Sequence, residues 1–289
     1  MVLLIQAIDA LYKDYGIYTN KLKGYPTMAD MRRGNGFTLI ELLVVIAIIA
    51  LLMSILMPSL QRVRKQAKAV ACQANLHQWA IVFSIYTDQN NGYFLSGLAE
   101  GVANIDKYWW MEPLKPYYKD ERIRLCPVAI KPYNEGGQVP FGAWYVGGDK
   151  GSYSPNGWLC NPPSTMPTLH GRMTKHNWRT VDVKGAGDIP MFLDCAWDDA
   201  WPYHTDHPPE YDGEVVESVN NNEMKRFCLN RHDGFINGLF VDRSVRKLGL
   251  KELWKLKWHR TFDTAGPWTK AGGVQPEDWP QWMRGFKDY

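Results

Sequence analysis

The sequence predicts an α+β protein, with a long N-terminal helix packed on a small antiparallel β-sheet head with long loops. Its helix is transmembrane in the first half and amphipathic in the second. Three observations carry that expectation. Phe37 to Met57 is apolar except for Thr38, Glu41 and Ser54. No glycine falls between Gly36 and Gly92, and the proline in that stretch is Pro58. Beyond position 92, short apolar runs alternate with Gly, Pro and Asn, the pattern of brief strands joined by loops.

Residues 1–36 begin MVLLIQAIDALY, too brief to cross a bilayer and interrupted by Asp9. Met28 and Met31 offer later starts. The apolar run from Phe37 covers about 21 residues, which at about 1.5 Å per residue reaches about 30 Å, the depth of a hydrocarbon core. The transmembrane half is therefore placed at 37–58 and an amphipathic half at 59–90. In that second half Val63, Ala67, Val70, Ala74 and Ile81 form one apolar stripe, and Leu76, Ala80, Phe83 and Tyr86 form another. Pro58 removes one hydrogen bond and is expected to kink or loosen the helix without ending it. The turn formers of DQNNG, Asp88 to Gly92, close it. Residues 91–289 are read as the head. Its strand candidates are Met191 to Leu193, Gly238 to Val241 and Val245 to Leu248, with Asp242, Arg243 and Ser244 turning the last two.

Charge excludes one class of partner. Lys and Arg number 33 against 30 Asp and Glu, a formal +3, without the basic excess that grips phosphates, so no nucleic acid is expected. Tyr108, Trp109, Trp110, Trp197, Trp201, Trp254 and Trp258 fit either a glycan-stacking platform or wedges holding loops on a small sheet, and the second is the expectation. The five cysteines include no CxxC pair and no CxxC…HxxxH spacing, so no structural zinc is signalled. His204, Asp206, His207, Glu210 and Asp212, after Asp194, Asp198 and Asp199, offer oxygen ligands suited to calcium. Their spacing matches no EF-hand or two-histidine helix motif, and Pro208-Pro209 marks a solvated loop. GxSxG, HExxH, P-loop and GxGxxG patterns are all missing, so neither a catalytic residue nor a cofactor is assigned.

The most specific signal is Arg32-Arg33-Gly34-Asn35-Gly36-Phe37-Thr38-Leu39-Ile40-Glu41. Basic residues, a glycine, a phenylalanine and a lone glutamate inside an apolar helix resemble the prepilin processing site of type IV pilins and type II secretion pseudopilins. The resemblance implies that a prepilin peptidase removes a leader, residues 1–36, by cutting between Gly36 and Phe37. Phe37 then becomes a methylated N-terminus. It implies that Glu41 pairs with the N-terminal amine of a neighbouring subunit during assembly. The chemistry agrees: a glycine lets the backbone approach an active site closely, Arg32 and Arg33 hold the leader at the cytoplasmic surface, and a carboxylate in lipid needs a partner. Basic residues follow the span at Arg62, Arg64, Lys65 and Lys68 as densely as they precede it, so orientation rests on the motif. A single pass through the bacterial inner membrane follows, N-terminus cytoplasmic and head periplasmic, with a surface filament as a further destination. The implied partners are the peptidase, other pilin or pseudopilin subunits, an inner-membrane assembly platform and lipid. A second function stays open: a binding or enzymatic head that uses a pilin-like helix only as an anchor.

The head resembles a pseudopilin-like group of planctomycete and related genomes through Cys72, Asn75, Tyr86, Cys126-Pro127 and a His-x9-Asp segment, here His232 and Asp242. Arg243 stands where that group has glycine. No chemistry is carried over for His232, which is expected to bond the hairpin backbone. An exported head meets an oxidising environment, so a disulfide is expected between Cys72 and Cys126, with Cys160 and Cys195 as a second pair and Cys228 free. The first requires the RIRLCP segment to lie back along the helix as an extended or edge strand.

Overall fold

Helix α1 spans Leu39–Gln89 and continues through Pro58. The computed structural model describes residues 38–98, 110–214 and 222–289. Arg32, Arg33, Gly36 and Phe37, and also Tyr108 and Trp109, lie outside the described residues. Two units divide the chain, Met1–Ile55 and Leu56–Tyr289, so the division falls inside α1.

In the first unit the described part of α1 is apolar apart from Glu41 and Ser54 and exposed throughout, from Leu39 at 85% to Ile55 at 67%. Side chains this apolar cannot stay in water, and α1 carries a window of mean hydropathy 3.0 with none of it buried. Its start is fixed by a reciprocal cap. Thr38 Oγ1 accepts from the Glu41 amide at 3.3 Å, and Glu41 Oε2 accepts from the Thr38 amide at 2.8 Å. A Thr-x-x-Glu capping box thus satisfies two amides that a helix start leaves open.

The second unit packs α1 on the head. The face that does so carries Ala69, Cys72, Leu76, Trp79, Ala80, Phe83 and Thr87, all buried. Of the two expected stripes, only the one through Leu76, Ala80 and Phe83 is covered. Val63, Val70 and Ile81 are 58%, 62% and 61% exposed, and Ala67 and Ala74 are exposed with them. Trp79 anchors the packing: its ring centroid lies 4.6 Å from Phe192, and its Nε1 donates to the Ile123 carbonyl at 2.8 Å. The helix ends as DQNNG predicts, with Asn91 and Gly92 at positive φ and the Gly92 amide returning to the Thr87 carbonyl at 2.8 Å.

Nine short strands follow among the described residues: β1 Lys131–Pro132, β2 Gly142–Val146, β3 Asp149–Gly151, β4 Tyr153–Pro155, β5 Thr168–Leu169, β6 Arg172–Met173, β7 Pro190–Asp194, β8 Phe235–Phe240 and β9 Val245–Gly249. The central sheet is antiparallel in the order β4-β7-β8-β9, with Phe192 opposite Leu239 and Leu193 opposite Gly238. A three-stranded sheet β1-β2-β3, its first pair parallel, and a β5-β6 ribbon flank it. The fold is α+β; β7 and β9 contain the strands expected at 191–193 and 245–248, and β8 holds the third except for Val241, which falls in the turn.

The β8–β9 turn shows what Arg243 costs. The Arg243 amide donates to the Phe240 carbonyl and the Phe240 amide to the Ser244 carbonyl, both at 2.9 Å, while Arg243 sits at φ 73°. This is a tight turn closed by a left-handed residue, the geometry in which glycine is favoured. Asp242 has no positive φ, so the two-residue Asp-Gly turn does not form, and arginine occupies the single left-handed position that closes the loop. Arg243 reaches Asp88 at 3.7 Å, but both groups are well exposed and the pair contributes little. Replacing Arg243 by Gly is expected to stabilise the protein by about 0.5 kcal/mol, as relief of left-handed strain outweighs the added freedom of the unfolded chain. Urea denaturation followed by tryptophan fluorescence checks this; a lower midpoint would contradict it.

Candidate functional site

Among the sequence-predicted positions, Glu41 lies in the described N-terminal segment, one turn inside α1 and exposed, with its carboxylate on Thr38. The capping role was written in the sequence as Thr38-Leu39-Ile40-Glu41 and was missed there, because the lone acid in an apolar run drew attention to assembly instead.

A second site emerges in the head, where Cys72 meets residues from three distant elements. Asn75 Nδ2 donates to the Leu125 carbonyl at 2.9 Å and Trp79 to Ile123, so the segment before Cys126 lies back along α1. It does so as a short 3₁₀ turn, Glu121–Arg124, followed by an extended Leu125, in place of an edge strand. Cys126 is held by its amide, which donates to the Ser152 hydroxyl. Asp194 ends β7 and His232 precedes β8. The Cys72, Cys126, Asp194 and His232 ligand atoms all lie within 4.8 Å of one another. His232 Nε2 is 3.4 Å from Cys126 Sγ and 3.3 Å from Asp194 Oδ2, and Cys72 Sγ is 3.5 Å from that same oxygen.

No disulfide is formed: all five cysteines are free and buried, so neither the Cys72–Cys126 nor the Cys160–Cys195 bridge is present, although the first two sulfurs are neighbours. Cys160 instead accepts from Asn177 Nδ2 at 2.9 Å. His232 also departs from expectation. Its backbone amide does bond the hairpin, to the Phe235 carbonyl, but its ring turns to Asp194 and Cys126.

Arg231 frames the cluster. Its guanidinium donates to the carbonyls of Pro140 at 2.7 Å, Gly142 at 3.1 Å, Cys195 at 2.9 Å and Ser152, and lies 3.3 Å from Asp194 Oδ1. The Asn237 amide donates to Asp194 Oδ2 at 2.9 Å. Burial alone would raise the Asp194 carboxyl, but His232, Arg231 and the Asn237 amide outweigh it and hold it at about 2. Burial would likewise lower His232, yet contact with Asp194 and Cys126 pushes it up to about 10. Cysteine, histidine and aspartate in this order suggest nucleophile, base and orienting group. Both sulfurs are 0% exposed.

The oxygen-rich loop does not converge. Asp206 Oδ2 accepts from the Tyr203 and Met224 amides, Asp212 Oδ1 accepts from the Asn230 amide, and the His207 ring packs on Trp268. Trp201, Trp254 and Trp258 are buried, which makes them wedges under the loops and removes them from any glycan platform.

The family described as "Prokaryotic N-terminal methylation motif" matches residues 31–57. The type IV wide pilus major component PilA4 of Thermus thermophilus is 46% identical over 63 residues, 22% of this chain and 48% of that protein. The chain thus spans about half the length of that curated relative. No solved structure matches. The chain thus carries an N-terminal methylation motif on residues 31–57 at the start of a capped apolar helix and is similar, over 63 residues, to a type IV pilin.

Proposed function

We propose that the chain is a structural subunit of a type IV pilus or a type II secretion pseudopilus, made as a prepilin. A prepilin peptidase cuts between Gly36 and Phe37 and releases residues 1–36. Residues 37–58 hold the protein in the inner membrane, N-terminus cytoplasmic, and residues 59–90 carry the head, 91–289, to the periplasm or beyond. Subunits then assemble through α1 on an inner-membrane platform. The methylation motif on residues 31–57 carries this reading. The uncovered stripe Val63, Ala67, Val70, Ala74 and Ile81 supports it, since an apolar face left open beside a docked one suits packing against the helices of other subunits.

The mature protein extracted from membranes is expected to start at Phe37 with a methylated amine. N-terminal sequencing and intact mass check this, and a terminus at Met1 or Met31 would overturn the processing step. Mechanical shearing then separates the two functions: a subunit appears in the sheared filament fraction, whereas a head that uses α1 only as an anchor stays with the membranes.

A further inference from the structure

We propose that Cys72, Cys126, Asp194 and His232 bind one zinc ion in a closed tetrahedral site that fastens α1 to the central sheet. The ligand geometry carries the proposal. Zinc holds sulfur at about 2.3 Å and nitrogen or oxygen at about 2.0–2.1 Å, so the edges of its tetrahedron are about 3.3–3.8 Å. The separations of 3.4, 3.3 and 3.5 Å between Cys126 and His232, His232 and Asp194, and Asp194 and Cys72 fall in that range. Cys126 Sγ and Asp194 Oδ2 both face His232 Nε2. One ring nitrogen, as donor or acceptor, serves only one of them, whereas an ion between the four atoms gives each a bond.

Charge and burial agree. On binding, both thiols and the His232 imidazolium each release a proton to solvent, and two thiolates with one carboxylate and a neutral imidazole carry three negative charges. The ion cancels two of them and the buried guanidinium of Arg231, 3.3 Å from Asp194, cancels the third. Two thiolates with one imidazole select zinc over calcium or magnesium. All four ligands are protein groups and the site has no exposed position, which is the pattern of a structural centre. Arg231 and the Asn237 amide orient the carboxylate from behind, and the Ser152 hydroxyl orients Cys126, as outer partners do around metal ligands. A cavity of about 600 Å³, lined by Ala69, Arg231 and His232 among others, adjoins the cluster. A disulfide uses the two sulfurs alone and gives no reason for a buried carboxylate and imidazole beside them.

The test uses the full chain, extracted in mild detergent without a metal-affinity tag. Elemental analysis is expected to find about one zinc per chain. Exchange into cobalt is expected to give the intense visible absorption of a tetrahedral thiolate site. Cys126→Ala is expected to lose the metal and the cobalt spectrum. That variant can fail to fold, so the wild-type protein supplies a second measurement: chelation lowers the melting temperature and zinc, without magnesium or calcium, restores it. A metal-free protein whose mass shows Cys72 joined to Cys126 overturns the proposal. So does a metal-free protein with both thiols titratable and a melting temperature indifferent to zinc.

Discussion

Arg231→Met is expected to leave the head at the edge of unfolding. The arginine side chain is fully buried, and its guanidinium serves four carbonyls as well as Asp194. Methionine fills much of the volume yet leaves those carbonyls without donors and Asp194 without its countercharge. Removing one partner of a buried ion pair costs about 3–5 kcal/mol, and each orphaned carbonyl adds about 1 kcal/mol or more. A domain has only about 5–15 kcal/mol of stability in total. Arg231→Lys keeps the charge but not the planar fork, so it should fall between the two. Chemical denaturation followed by tryptophan fluorescence, with limited proteolysis as a second readout, checks the order. A Met variant within about 1 kcal/mol of the wild type would show that these contacts hold nothing together.

The helix was legible because its evidence is local: a glycine-free run, an apolar span and a turn-rich end all lie within α1. Which face of it meets the head was not. Val63, Ala67, Val70, Ala74 and Ile81 make the cleaner periodic pattern, yet they are the exposed ones. Periodicity reports that a face is apolar and says nothing of what covers it. The docking face is built on Trp79 and Cys72, with Gln73 and Asn75 at its margin bonding Asn237 and Leu125. Polar residues that hydrogen-bond across an interface read as solvent-facing in a sequence.

The metal cluster was illegible for a related reason. Its four ligands are spread from residue 72 to residue 232 on a helix, a turn, a strand end and a loop, and only the fold brings them together. Short-range spacing rules describe sites built within one hairpin or loop, so scanning for CxxC passed over these cysteines. One signal was present. Asp194 follows Met191, Phe192 and Leu193 in an otherwise apolar strand and is fully buried, and a buried carboxylate always has partners. In the Asp206 loop, by contrast, acids close in sequence accept from separate backbone amides.

Glu41 is expected to decide assembly through its charge, and the cap it forms with Thr38 makes that separable from helix stability. Glu41→Val removes both the carboxylate and the Glu41 side-chain bond to the Thr38 amide. Glu41→Gln removes the charge but keeps an acceptor at the third helical position, where glutamine also completes a capping box. Loss of a helix cap costs about 1 kcal/mol, too little to expel from the membrane a span this apolar. Both variants should therefore insert and be trimmed to Phe37. If the carboxylate pairs with the N-terminal amine of the next subunit, a charge pair formed away from water, both variants should be almost absent from sheared filaments while remaining abundant in membranes. If capping is its whole role, Glu41→Gln should assemble like the wild type and only Glu41→Val should falter. Quantifying the mature chain in sheared and membrane fractions for the three proteins gives the answer, and normal assembly of Glu41→Gln would remove the intersubunit charge pair from the mechanism.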